Sequence, residues 1–196
     1  MSTTISAVPG LDYIPGYLAA EEQNRLLDII DQQPWLADLR RRVQHYGYRY
    51  DYTRRSTNDS LFLGPLPGWA AVLAERLAND GWIAAQPDQL IVNEYLPGQG
   101  ISSHVDCVPC FGDTVLSISL GSACVMHFTQ IETHQQVPVL LEAGSLTVMQ
   151  GEARYQWKHG IPARKTDIYA GRKILRERRV SLTFRTIVPS HLSSPV

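Results

Sequence analysis

Two stretches near the start of the chain repeat apolar side chains at helical spacing. Between Ala20 and Gln33, Leu26, Leu27, Ile29 and Ile30 recur on one side, and Pro34 cannot continue a helix. Between Trp69 and Asp80, Trp69, Val72, Leu73 and Leu77 share a face, and Gly81 suits the position after a helix end. From Gln89 onward the texture changes to short runs of Val, Ile, Thr, Tyr and Phe, parted by Pro-Gly, Gly-Asp, Gly-Ser and Ala-Gly turns. These predict strands at Gln89–Leu96, Ser102–Asp106, Thr114–Leu120, Ala123–Thr129, Val137–Leu141, Ser145–Gln150, Tyr155–His159 and Arg178–Val188. Many short strands at this spacing make a sandwich or barrel, so the expected class is mainly β with flanking helices, of jelly-roll or cupin type.

Within that pattern, a few polar positions are out of place for a plain core. The last predicted strand alternates strictly, putting Val180, Leu182 and Phe184 on one face and Arg179, Ser181, Thr183 and Arg185 on the other. If the polar face looks into a cavity, two arginines there require an anionic partner such as a dicarboxylate. If it looks outward, it is an ordinary solvated sheet face. Asn93 and Tyr95 share a face of another strand and offer an amide and a phenol. His104 and Asp106, two apart, point to one side if extended, and His159 follows 53 residues after Asp106. Two histidines and a carboxylate are the donor set that holds Fe(II) on one face and leaves positions open opposite. His-x-Asp alone carries little weight in a chain with 6 His and 19 acids.

Length and composition narrow the picture without deciding it. The 196 residues, 44% hydrophobic and 19% charged, suit one folded domain over the whole chain. The longest uncharged stretch, Thr114 to Ile131, contains too many polar side chains for a membrane span, and Met1 to Gly10 lacks the pattern of a secretory signal. Three cysteines, an odd number, argue against a disulfide framework and for a reducing, cytoplasmic setting. The formal net charge of −1 hides segregation: Arg40–Arg55 and Arg164–Arg179 hold 13 of 18 bases and only 3 of 19 acids. If the segments meet, they form a basic face suited to a polyanion; if not, both are solvated turns.

Asn93-Glu94-Tyr95-Leu96-Pro97-Gly98-Gln99-Gly100-Ile101-Ser102-Ser103-His104-Val105-Asp106, then Gly151-Glu152-Ala153-Arg154 before His159-Gly160-Ile161, and Arg179 to Arg185 with its paired arginines, together resemble the AlkB family of Fe(II)/2-oxoglutarate dioxygenases. Within the family the chain is most similar to the AlkB domain of animal tRNA wobble-uridine enzymes, through Arg42 to Tyr48, Ser117 to Ser122 and Trp157 to Ile161. The resemblance implies a double-stranded β-helix, with N-terminal helices and a substrate lid over about 1–88 and a jelly-roll core over about 89–188. It implies His104, Asp106 and His159 as iron ligands. Arg179 and Tyr95 would hold the distal carboxylate of 2-oxoglutarate, with Arg185 and Asn93 near the chelating one. Ser181 stands where the founding bacterial enzyme has an Asn that touches the co-substrate. The implied reaction uses O₂ and 2-oxoglutarate to oxidise a C–H bond of a modified base in DNA or RNA, an N-methyl product then losing formaldehyde. Some family members act on protein or small-molecule substrates, and that alternative stays open. The expected form is a monomer.

Two segments bear on substrate. His45 to Tyr52 alternates, placing Tyr46, Tyr48, Tyr50 and Tyr52 on one face, with Arg49 between Tyr48 and Tyr50 in sequence. This is a stacking platform for a flipped base or a strand whose tyrosines pack on the core; Tyr46, Tyr48, Arg49 and Tyr50 are the substrate candidates. Cys107-Val108-Pro109-Cys110, directly after Asp106, could bind zinc, form a redox disulfide, or simply be oxidation-sensitive beside the iron.

Overall fold

The computed structural model describes residues 3–37, 39–53, 56–57 and 59–188. In chain order the elements are β1 (Thr3–Thr4), β2 (Leu11–Ile14), α1 (Ala20–Asp31), β3 (Val43–Tyr46), α2 (Gly68–Asn79), β4 (Gln89–Tyr95), β5 (Ile101–His104), β6 (Val115–Gly121), β7 (Cys124–Gln130), β8 (Gln136–Leu141), β9 (Leu146–Met149), α3 (Gly151–Tyr155), β10 (Trp157–Ile161), β11 (Thr166–Tyr169), β12 (Arg172–Leu175) and β13 (Arg179–Arg185). A seven-stranded antiparallel sheet runs β1-β2-β9-β6-β13-β4-β3, and a four-stranded sheet runs β5-β10-β7-β8. Together they make the expected jelly roll, with β11 and β12 as a separate hairpin.

The alternation of β13 sets the layers. Val180, Leu182 and Phe184 are fully buried on the helix side, packed with Leu26 and Ile30 of α1 and Leu73 and Leu77 of α2. Each such side chain taken from water contributes about 1.5–3 kcal/mol. The other face of the large sheet packs Tyr95, Val115 and Met149 against Met126, Phe128, Trp157 and Ile161 of the small one. Between the sheets, at one end, this second core gives way to the polar residues of the site. Val72 does not join the helix face as its spacing suggested: it is 66% exposed, and Ala70 and Ala74 are buried instead.

The segment before Gln89 does more than flank the core, because β1, β2 and β3 are strands of the large sheet itself. The alternation from His45 to Tyr52 is not one strand. β3 ends at Tyr46, and Gly47 turns the chain at φ +75°, where a Cβ would lie 1.8 Å from the Asp88 carbonyl oxygen. Beyond that turn the tyrosines no longer share a face. Pro138 sits in β8, an edge strand of the small sheet, the place where a missing N–H is tolerated. The odd cysteine count argued against a disulfide framework; of the readings offered for Cys107 and Cys110 the structure shows the disulfide, while Cys124 is free and buried. A disulfide across three residues needs no framework, only a tight turn. Among the described residues no helix is long and apolar enough to cross a membrane.

Candidate active site

β5 and β10 are antiparallel neighbours in which His104 lies directly opposite His159, so pairing alone brings the two imidazoles together, ring centroids 4.5 Å apart. Asp106 lies past the end of β5, and the chain turns there to carry its carboxylate between them. Asp106 Oδ1 is 3.8 Å from His104 Nε2 and Oδ2 is 4.0 Å from His159 Nε2. One ion about 2.1 Å from each donor tolerates such spacings. The ring nitrogen His104 Nδ1 lies 2.8 Å from the Ser102 carbonyl oxygen and therefore donates to it, leaving Nε2 free as a ligand. Burial pushes the His159 imidazole down to about 3, with His104 adding to the effect and Asp106 opposing it. It is neutral at ordinary pH, the form that ligates. Burial alone would raise the Asp106 carboxyl, but the Arg185 charge foremost, helped by the two imidazoles and Arg154, outweighs it and holds Asp106 below the usual carboxylate range.

The polar face of β13 does look inward. Arg179, Ser181, Thr183 and Arg185 line a pocket of about 490 Å³ together with Asn93, Tyr95 and the His-Asp-His cluster. Arg185 donates to Asp106 Oδ1 at 3.0 Å and to Gln89 Oε1 at 3.2 Å. Arg179 donates one Nη to Ser119 Oγ at 2.8 Å, while its Nε and other Nη are buried without a partner. Arg185 Nε and Asp106 Oδ2 are likewise unsatisfied. Buried unpaired donors on two arginines are costly unless a ligand completes them, and a guanidinium edge matches a carboxylate in bidentate fashion. The orphaned Asp106 oxygen between two imidazoles calls for a cation in the same way. The pocket therefore fits a divalent metal at one end and a dicarboxylate at the other. The Tyr95 ring lies between Arg179 at 5.3 Å and Arg41 at 5.8 Å. Arg41 in turn donates to Asn93 Oδ1 at 2.8 Å, so the segment before β3 closes over this end of the pocket.

The comparisons with known proteins agree with this donor set. The family profile described as "2OG-Fe(II) oxygenase superfamily" matches residues 35–185. An "Alkylated DNA repair protein ALKBH8 homolog" of Arabidopsis thaliana is 33% identical across 92% of this chain. The chain belongs to the AlkB family of 2-oxoglutarate- and Fe(II)-dependent dioxygenases. It is 39% identical, over 81% of its length, to "tRNA (carboxymethyluridine(34)-5-O)-methyltransferase ALKBH8" of Mus musculus. This AlkB chain spans 59% of the Arabidopsis protein and 25% of the mouse one. A solved structure described as "The structure of OsALKBH1" superposes with a TM-score of 0.67 over 91% of this chain and 97% of that one, at 21% identity, which bears on the fold.

As an AlkB dioxygenase the chain uses Fe(II), 2-oxoglutarate and O₂. His104, Asp106 and His159 would hold the metal; Arg179 and Arg185 carry the unpaired donors a dicarboxylate requires, with Asn93, Tyr95 and Ser181 beside them. Bound together, metal and co-substrate supply the oxidising power to hydroxylate a C–H bond while 2-oxoglutarate becomes succinate and CO₂. The protein's part is to hold three ligands together, to anchor the co-substrate, and to wall the rest of the pocket.

That wall differs from the sequence expectation. Of the four substrate candidates only Tyr50 lines the pocket. Tyr46 faces the core, its ring edge-on to Trp69 at 5.5 Å and its hydroxyl donating to Gln44 Oε1. Tyr48 packs on Phe62 at 4.9 Å, outside the pocket, and Arg49 lies behind Tyr50 in a neighbouring hollow. Tyr52 is the residue missed: it lines the pocket edge-on to Tyr50 at 5.1 Å, and Phe111 meets Tyr50 from the far side at 5.6 Å. Arg154, quoted above only as part of a motif, is a supporting residue of the centre. It is buried and donates to the carbonyls of Asp106, Cys107, Phe111 and Gly112, so it fixes the turn that carries the carboxylate ligand.

The two arginine-rich segments do not form an uninterrupted basic face. Arg42 and Arg178 both bind the buried Glu94, and Arg164 and Arg176 both bind the buried Asp167. Arg54 and Arg55 lie outside the described residues.

Proposed function

We propose that this dioxygenase oxidises a modified base presented by single-stranded nucleic acid. The observation that carries the reading is the aromatic wall of the pocket that holds the metal ligands. Tyr50, Tyr52 and Phe111 form a contiguous aromatic surface, and Arg40 and Arg41 stand on the same pocket. Aromatic rings accept any base by stacking, and arginines accept the phosphate that accompanies it. A volume of about 490 Å³ suits one flipped nucleobase beside the co-substrate. The names of the relatives support the same reading: they refer to alkylated DNA repair and, for the protein of Caenorhabditis elegans, to a "DNA N6-methyl adenine demethylase" at 27% identity.

The test is a panel of single-stranded oligonucleotides, DNA and RNA, bearing N-methylated or C5-substituted bases. Each is incubated with the protein, Fe(II), 2-oxoglutarate and air, with succinate and the base followed by mass spectrometry. The expected result is one succinate per altered base on at least one oligonucleotide. Succinate coupled to oxidation of a peptide or small molecule, with every oligonucleotide unchanged, would refute the reading.

A further inference from the structure

Besides sharing Glu94, the two arginine-rich segments meet at a turn that adjoins the active site. Gln99 Nε2 donates to the Arg40 carbonyl at 2.8 Å, and the Gly98 N–H donates to the Arg164 carbonyl at 3.2 Å. The turn between β4 and β5 is thus held between the two segments. Beside it a groove of about 600 Å³ runs over the outer face of the small sheet, lined by Arg40, Ser102, Ser103, His127, Thr129 and Gln136 among others. The groove shares Arg40, Gly100, Ile101 and Ser102 with the active-site pocket, so one ligand can occupy both by crossing β5.

Its chemistry is that of a phosphodiester backbone rather than of a base. Among the described residues no acidic side chain lines it. Hydroxyl, amide and imidazole groups of Ser103, Thr129, Gln136 and His127 offer the neutral donors that commonly accompany cations on phosphates. His127 Nε2 lies 3.3 Å from an Arg164 Nη, so it accepts there and leaves its Nδ1–H as a donor. Charge is also in surplus here. Among the described arginines of the two segments, Arg42 and Arg178 are spent on Glu94, Arg164 and Arg176 on Asp167, and Arg179 faces the co-substrate pocket. Arg40 and Arg41 pair with no carboxylate among the described residues; both line the pocket, and Arg40 lines the groove as well.

Building on the proposed function, we infer that this groove is the binding track for the strand that flanks the target base. The base enters the aromatic pocket, its phosphate meets Arg40, and the backbone on one side continues across Ser102 and along the outer face of β7 and β8. The ligand is a single strand of several nucleotides; an isolated nucleoside would use the pocket alone.

Fluorescence anisotropy of 5′-labelled single-stranded oligonucleotides of about 3 and about 12 nucleotides, at several salt concentrations, tests this. The Thr129→Glu/Gln136→Glu double variant places two acids in the groove without touching the pocket. Arg25→Glu, on the exposed side of α1, changes net charge by the same amount elsewhere. The expected result is that the double variant weakens binding of the longer strand by about 10-fold or more and the shorter by less than about 2-fold. Arg25→Glu should leave both nearly as in the wild type. Gln136→Lys should tighten the longer strand only, and Arg40→Ala should lower the slope of log affinity against log salt by about 0.7, one phosphate contact's worth. Wild-type affinity of the longer strand for the double variant and for Gln136→Lys would overturn the track while leaving the functional reading intact. If the unaltered protein binds neither strand, the functional reading itself fails and the track falls with it.

Discussion

Replacing Arg154 by Met should loosen the metal centre without touching a ligand. Arg154 is 3% exposed, and its guanidinium sends four hydrogen bonds to main-chain carbonyls: Asp106 at 3.0 Å, Cys107 at 3.2 Å, Gly112 at 3.3 Å and Phe111 at 3.4 Å. Met fills similar space and offers no donor. Each buried carbonyl left unsatisfied costs about 1–3 kcal/mol. The Cys107 oxygen also accepts the N–H groups of Cys110 and Phe111, and so keeps partners. Counting the short bond to Asp106 in full and the others at a fraction gives a loss of about 3 kcal/mol. That is a sizeable share of the roughly 5–15 kcal/mol of a typical domain. The same change frees the turn that aims the Asp106 carboxylate, and outer partners of metal ligands are typically worth about 10–100-fold in metal affinity. Urea unfolding and anaerobic titration with Fe(II) read the two effects separately. Arg154→Lys, which keeps the charge but not the planar fork, should fall between. A Met variant that unfolds like the parent and binds Fe(II) as tightly would show that Arg154 does not support the centre.

Other changes have equally definite outcomes. Arg179→Gln should raise the dissociation constant of 2-oxoglutarate about 100-fold, the loss of one charge-assisted bidentate contact worth about 3 kcal/mol, and Arg179→Lys should recover little; isothermal titration of the Fe(II) protein without O₂ measures both. The bond from Arg42 holds the Glu94 carboxyl below its ordinary range, with Arg178 adding to it. Because the unfolded chain then binds more protons, this contribution is complete above about pH 4.3 and is lost as pH falls through the lower folded value. Glu94→Gln should flatten that part of the acid unfolding curve. Thiol titration of the denatured chain without reductant should give one thiol, Cys124, and three after reduction; three from the outset would put Cys107 and Cys110 in the dithiol form.

The parts of the fold visible in the sequence are those where one physical demand acts alone. β13 alternates because its two faces meet helices and a polar pocket, and its arginines are separated by an even count, so both reach the pocket. His104 and His159 were readable as donors, though their adjacency comes from cross-strand register, which sequence spacing does not contain. Where demands compete, the pattern misled. β11 and β12 read as a charged segment because Ile168 and Leu175 lie on the exposed face of their hairpin, while Asp167, buried, serves two arginines. β1, β2 and α3 are too short for either periodicity to register. The alternation of His45 to Tyr52 concealed a break at Gly47, a residue that could have signalled it. With that break the tyrosines part company, Tyr46 to the core, Tyr48 to Phe62, and Tyr50 with Tyr52 to the site.

The most direct check on the site needs no substrate. Visible absorption of the protein is recorded without O₂ during addition of Fe(II) and then 2-oxoglutarate, with His104→Ala beside it. A charge-transfer band that requires both additions and is absent from the variant is the expected result. A well-folded protein that shows no band, or one that His104→Ala leaves unchanged, would contradict the assignment of His104, Asp106 and His159 as the metal ligands.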